Sequence, residues 1–421
     1  MKPRCEHDQL CLAPSSHAQP AGYARRTAQQ LIAATRPSGR TPKPKSQGNA
    51  APEASTFPAP LVLPGDDLSL DPKYDAQSLK SWLQEPERNA VTEERKTVYV
   101  VPVPSVGTKV KHMKEWIQPK FPAGTATKAQ IPRPDPKEVV EYLAAFYTNL
   151  PVKLLSKPKL QFMSWDDDRP AKKRSKASDG IFGGQLSLED ILDAAIALLP
   201  TDAYALLLLV DHDLYEEEDN DFCCGRAYGG SRVAVVSSAR YNPGLDALQE
   251  VEVEHAWPAS HCQTYVDACV RNADDGRAPS RKKVKMAAKN EAHASSAMQA
   301  AVRAFALVPA SSQSDGTLWL ARVCRTASHE LGHCFGMDHC VYYACSMQGS
   351  AGLSEDARQP PYLCPVDLAK VLCATGADTS DWYRALLKFC ERFEDQDRTF
   401  AAFSAWLRHR LSTVSEESSS S

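Results

Sequence analysis

Residues 329 to 339 read His329-Glu330-Leu331-Gly332-His333-Cys334-Phe335-Gly336-Met337-Asp338-His339. His329 and His333 stand four apart, so on a helix both imidazoles leave one face and can bind a single zinc ion. Glu330, one residue on, is turned by about 100° around the helix axis. It flanks the ion instead of joining the ligands, which suits a base acting on a water held there. Gly336 can take the left-handed conformation that ends a helix. The chain then turns, and His339 can swing back as third ligand. Three histidines leave open the fourth position that a catalytic zinc requires. A bare His-Glu-x-x-His arises by chance in about one chain in a hundred, and the glycine and third histidine lower that by roughly two to three orders of magnitude.

Cysteine placement also points to metal. The chain has 13 cysteines, an odd number, and Cys324, Cys334, Cys340, Cys345, Cys364, Cys373 and Cys390 crowd its last hundred residues. The opening residues, Met1 to Asp8, lack the apolar core of a secretory signal. Clustered cysteines in that setting favour metal ligands or reduced thiols over a disulfide framework. Cys334, the adjacent Cys223-Cys224, His212 and His261 read as structural or exposed.

The histidine motif, the spacing Cys340-x4-Cys345-x-Met347 and the later Leu363-Cys364-Pro365 resemble the archaemetzincins, a branch of the metzincin zinc peptidases. The resemblance is strong from His329 to about Leu368 and extends to Lys96–Ser238 only in the order of elements. It implies a zinc metallopeptidase with aminopeptidase-like activity on peptides. His329, His333 and His339 would hold the catalytic zinc, and Glu330 would assist its water in attacking the peptide bond. Met347 would form a hydrophobic floor beneath them. A second, structural zinc held by four cysteines is also implied, and Cys340, Cys345 and Cys364 carry over. The fourth is due three residues after Cys364, where this chain has Asp367. Asp367 fills that place, or Cys373 does if a helix from Pro365 is short or bent. The resemblance also lays substrate along an edge strand of the sheet, for which Arg232 to Ser238 is the candidate by order along the chain, with a plain core strand as the equal alternative. The rival reading is a zinc-stabilised binding or regulatory protein whose peptidase site is little used.

The elements that must position these residues follow from patterning. Strand signals lie at Lys96–Val103, Val152–Leu155, Tyr204–Val210 and Arg232–Ser238. The third is apolar throughout, as expected of a strand covered on both faces. Helices are expected from Asp135, with Pro136 at its first position, to about Tyr147, and from Ser187, in a capping-box sequence, to near Pro200. Two more run from about Glu291 to Ala306 and from about Leu318 to Phe335. The predicted fold class is α/β (α+β), and the resemblance makes it a metzincin-like zincin: a mixed twisted sheet with an active-site helix and a small irregular or helical C-terminal subdomain. The expected organisation is a low-complexity, disordered leader over 1–90, with a short helix around Ala76–Leu83, and an N-terminal subdomain over 91–336 with insertions at about 166–180 and 243–290. A C-terminal subdomain over 337–395 carries His339, the cysteines and Met347, and 396–421 is a helix end and polar tail.

Composition narrows the partners. At 421 residues, 43% hydrophobic and 24% charged, most of the chain can bury a core. A formal net charge of -3 gives no global field toward nucleic acid or an anionic membrane. No apolar run approaches the roughly 18 residues of a membrane-spanning helix. Basic runs at 172–176 and 281–285 read as solvated loops, with nuclear import signals as the alternative. The expected partner is a peptide or protein substrate, in an intracellular setting that is cytoplasmic or also nuclear. Oligomeric state is not legible.

Overall fold

The structure is a computed structural model that describes residues 7, 9–41, 53–122, 131–163, 179–216, 221–274, 296–309 and 311–419. Nine strands form among them: β1 (Thr97–Val101), β2 (Ser105–Val106), β3 (Val152–Leu154), β4 (Gln161–Phe162), β5 (Leu186–Ser187), β6 (Ala203–Val210), β7 (Leu214–Tyr215), β8 (Gly225–Tyr228) and β9 (Val233–Ser237). Five make one sheet in the order β3-β1-β6-β9-β8, parallel except for β8, which runs antiparallel to β9. The short pairs β2–β4 and β5–β7 stand apart from it.

The apolar run of β6 is buried over its whole length because helices cover both faces. Ala205, Leu207 and Leu209 point to the side packed by Pro136–Phe146 and Asp315–Cys334. Leu206, Leu208 and Val210 point to Leu188, Ile191, Leu192 and Ala195 of the helix Leu188–Ile196. This period-two division is what a strand at the centre of a layered α/β fold requires. Asp135 caps its helix through Lys137 N, with Pro136 at the first turn. Ser187 precedes its helix without a side-chain cap bond, because it is held in β5.

Several expectations change. Arg232–Ser238 takes the core-strand place and not the edge: β9 lies between β6 and β8, and the sheet's edges are β3 and, at the cleft, the four-residue β8. The leader expected to be disordered contributes many of its described apolar residues to the core. Leu10, Leu12, Tyr23, Phe57, Val62, Leu68, Leu79 and Trp82 belong to the main core. Tyr23 Oη donates to Val341 O, and Trp82 Nε1 to Phe335 O, each at 2.9 Å. Apolar residues without periodicity give no helix or strand signal, yet they bury well when draped over a surface that other elements supply. The expected short helix is present as Leu79–Gln84.

Within 243–290 the chain forms short 3-10 turns and the helix Gln263–Asp274. The basic runs at 172–176 and 281–285, and the start of the helix expected from Glu291, lie outside the described residues; that helix is seen over Ala297–Leu307. The 396–421 stretch is more than a helix end. Arg398–Ser419 is a 22-residue helix that buries Phe400, Phe403, Trp406 and Leu407. Trp406 Nε1 donates to Thr56 O at 3.2 Å, tying this helix to the N-terminal segment. No helix among the described residues is long and apolar enough to cross a membrane.

Candidate metal centres and active-site cleft

The helix Asp315–Cys334 starts at Ser314, whose hydroxyl accepts from Thr317 N, and carries His329, Glu330 and His333 on its last two turns. Gly336 has φ +75°, the left-handed turn expected of it, and His339 returns to the other two imidazoles. Ring centroids lie 4.8 Å apart for His329–His333, 5.4 Å for His329–His339 and 5.1 Å for His333–His339. One ligand nitrogen from each ring lies within 4.8 Å of the others.

The donor set fits zinc. His329 Nδ1 lies 2.7 Å from Ser346 O, and His333 Nδ1 lies 2.7 Å from Met337 O. A carbonyl only accepts, so each Nδ1 carries the proton and each Nε2 presents a lone pair. Those two Nε2 atoms face each other at 3.1 Å. Two lone pairs at that distance repel unless a cation lies between, and a tetrahedral zinc with bonds of about 2.0–2.1 Å sets such edges at roughly 3.3 Å. Burial pushes the pKa of all three histidines down, that of His339 to about 3, with neighbouring imidazoles adding to the effect at His333 and His339. Neutral imidazole is the form that binds metal.

Glu330 is buried beside this cluster, and burial pushes its carboxyl up to about 8 while Arg226 opposes the shift. A dication on the histidines would act in the same direction as Arg226. The edge strand β8 passes directly over it: a Cβ at Gly225 would sit 2.7 Å from Glu330 Oε1. Beneath the helix, a Cβ at Gly332 would come within 2.4 Å of Met347 Sδ, so the methionine packs into the space that this glycine leaves. Met347 is fully buried.

A second cluster begins one residue after His339. Cys340, Cys345, Cys364 and Asp367 are all buried, with one ligand atom from each within 4.8 Å of the rest. Cys340 Sγ lies 3.6 Å from Cys364 Sγ, and Asp367 Oδ2 lies 3.3 Å from the sulfurs of Cys345 and Cys364. Tetrahedral zinc with sulfur at about 2.3 Å and oxygen at about 2.0 Å gives edges of roughly 3.8 and 3.5 Å, so this set fits as well. Asp367 is brought in because Cys364 is the N-cap of the helix Pro365–Thr375, with proline at its first turn. Cys373, the other residue considered for the fourth place, is exposed and outside the cluster.

A family model described as peptidase family M54 matches residues 293–371, from just before the helix Ala297–Leu307 through both clusters. Archaemetzincin-2 of Pongo abelii is 24% identical over 340 residues, covering 80% of this chain and 76% of that protein. The chain is similar to archaemetzincins along most of its length, and residues 293–371 match the M54 peptidase model. It is a zinc metallopeptidase. Archaemetzincin-2 of Mus musculus is 44% identical over 72 residues, 17% of this chain and 20% of that protein. The archaemetzincin structure from Methanopyrus kandleri aligns with 66% of this chain and 96% of its own at 17% identity, with a TM-score of 0.33, too loose a superposition for comparing sites.

The cleft has a volume of about 840 Å³ and includes residues that sequence reasoning missed. β8 supplies Gly225 and Arg226, and the segment before β1 supplies Tyr74, Gln77, Glu85, Glu87, Arg88 and Asn89. The pair Arg325–Asp356 lines the part of the cleft one helical turn before His329. The only sequence signal for β8 was its bracketing by Cys223-Cys224 and Gly229-Gly230. No local signal marks the segment before β1, which is placed by its contacts with Phe335, Gly336 and Gly229.

Proposed function

We propose that this chain hydrolyses peptide bonds close to a free amino terminus, with Glu330 as the proton carrier. The carrying observation is a single buried carboxylate held between the three-histidine cluster and the exposed edge of β8. Zinc on His329, His333 and His339 supplies Lewis acidity toward the peptide carbonyl and a nucleophilic water near neutral pH. Ser346 and Met337 hold two of the imidazoles in the ligating tautomer. Glu330 takes the proton of the attacking water and passes it to the leaving amine as the C–N bond breaks. The free edge of β8 offers backbone groups to an extended peptide. Met347 supports the histidine helix from below, and Cys340, Cys345, Cys364 and Asp367 would hold the structural zinc. The cleft divides a metzincin-like unit over 91–336 from a smaller one over 337–395.

An exopeptidase preference is supported by what closes one end of the cleft. Asn89 Nδ2 donates to Gly229 O and Gly230 O, each at 3.3 Å, just beyond the end of β8. Glu85 and Glu87 also line the cleft, with Arg88 next to them. An extended substrate meets this wall, and the carboxylates there favour an ammonium group.

Glu330→Gln keeps the size of the side chain and removes the base. Zinc content should stay unchanged while turnover of unblocked peptides falls about 10³-fold. Turnover equal to that of the wild type would overturn the mechanism, and a wild-type chain that binds peptides without cleaving them would favour the binding-protein reading.

A further inference from the structure

The two candidate metal centres are joined by a line of buried polar contacts. Asp367 divides its carboxylate: Oδ2 faces the thiols of Cys345 and Cys364, and Oδ1 accepts from Lys370 Nζ at 2.8 Å. Lys370 is 1% exposed, so its charge is held by partners and not by water. Its ammonium also donates to Gln77 Oε1 at 2.9 Å. Gln77, from the segment before β1, then takes hold of the turn that leads to His339. Its Nε2 donates to Gly336 O at 2.9 Å, and its Oε1 accepts from Asp338 N at 3.1 Å. The far side of the same turn is fixed by the chain itself, since Cys340 follows His339. His339 therefore sits on an arm gripped at both flanks, and one grip runs through Asp367.

We propose that Gln77 and Lys370 are positioning residues that couple the two metal centres, so that filling the cysteine–aspartate site strengthens zinc binding at the histidine site. This rests on the two-zinc reading given above. With Asp367 bound to an ion, Lys370 and Gln77 are held in place and the 336–338 turn presents His339 ready to ligate. With that site empty, Asp367 can follow the thiols, and the arm loses one of its two anchors. Outer contacts of this kind typically change metal affinity by 10–100-fold. The coupling must be reciprocal, because it is a free energy shared by two binding equilibria.

The test measures zinc per chain and the zinc affinity of the histidine site by chelator competition, in the full-length protein. The wild type should hold two zincs. Cys345→Ser, which empties the cysteine site, should weaken the histidine site about tenfold. Gln77→Ala should weaken it by a similar factor while the cysteine-site zinc stays bound, and adding Cys345→Ser to it should cost little more. Gln77→Glu retains the acceptor for Lys370 and Asp338 N but loses the donor to Gly336 O, so it should restore only part of the affinity. A purely structural role would lower the melting temperature and leave the two zinc affinities in their original ratio. Histidine-site affinity within twofold of the wild type in Gln77→Ala, or losses that multiply independently in the double variant, overturns the coupling. If Gln77→Ala does not fold, Lys370→Met carries the test, and an unchanged histidine-site affinity there overturns it equally. A wild-type chain holding fewer than two zincs overturns the two-zinc reading together with the coupling.

Discussion

Two glycines at the site act through the side chain they lack. Neither Gly225 nor Gly332 has a positive φ, so the constraint is space and not backbone conformation. Gly225→Ala would place a methyl 2.7 Å from Glu330 Oε1 and push the carboxylate aside. We expect turnover to fall roughly 10–100-fold with zinc content intact, because small displacements of a reacting group cost about that much. Unchanged kcat would mean that Glu330 does not work from the observed position. The histidine set was readable in the sequence because one helix and one turn place all three ligands and Glu330. Gly225 was not, since it reaches Glu330 only through the pairing of β8 with β9. Asp367 stood at a readable position but with an unexpected residue type, and its partnership with Lys370 becomes visible only when the helix Pro365–Thr375 is seen to bury both.

At the level of elements, the edge strand β8 lines the cleft beside the candidate metal centre. Of the two readings of Arg232–Ser238, the core strand holds for a plain reason: five apolar or small residues in a row belong inside a sheet, covered on both faces. The edge at the cleft, Gly225-Arg226-Ala227-Tyr228, is short and mixed, as edge strands commonly are. Its far end is capped by Asn89, which gives the exopeptidase reading a direct check. Asn89→Ala removes both bonds to the Gly229 and Gly230 carbonyls and should raise cleavage of N-acetylated peptides relative to the same peptides with a free amine. A ratio equal to that of the wild type would count against closure by this wall.

Over the whole molecule, the N-terminal segment is part of the core and of the cleft. Each of Leu10, Leu12, Tyr23, Phe57, Val62, Leu68, Leu79 and Trp82 contributes about 1.5–3 kcal/mol by burial. Together this rivals the about 5–15 kcal/mol that holds a domain folded. Deleting residues 1–90 should therefore abolish cooperative unfolding and zinc retention; a truncated chain that melts like the full one would contradict the packing. Local pattern could not reveal this, because the apolar residues here match the surface of a sheet and helices built by sequence far downstream.

The contact between Trp406 and Thr56 has a further meaning for a chain made from its N-terminus onward. It joins residues 350 positions apart, and every candidate metal ligand, from His329 to Asp367, lies between them. A growing chain thus exposes all its ligands before it has the helix Arg398–Ser419 that seals the core around the N-terminal segment. Closure at such a sequence separation is slow to nucleate and comes late. The core around the candidate metal centres is thus completed only when this last described helix has packed against the N-terminal segment.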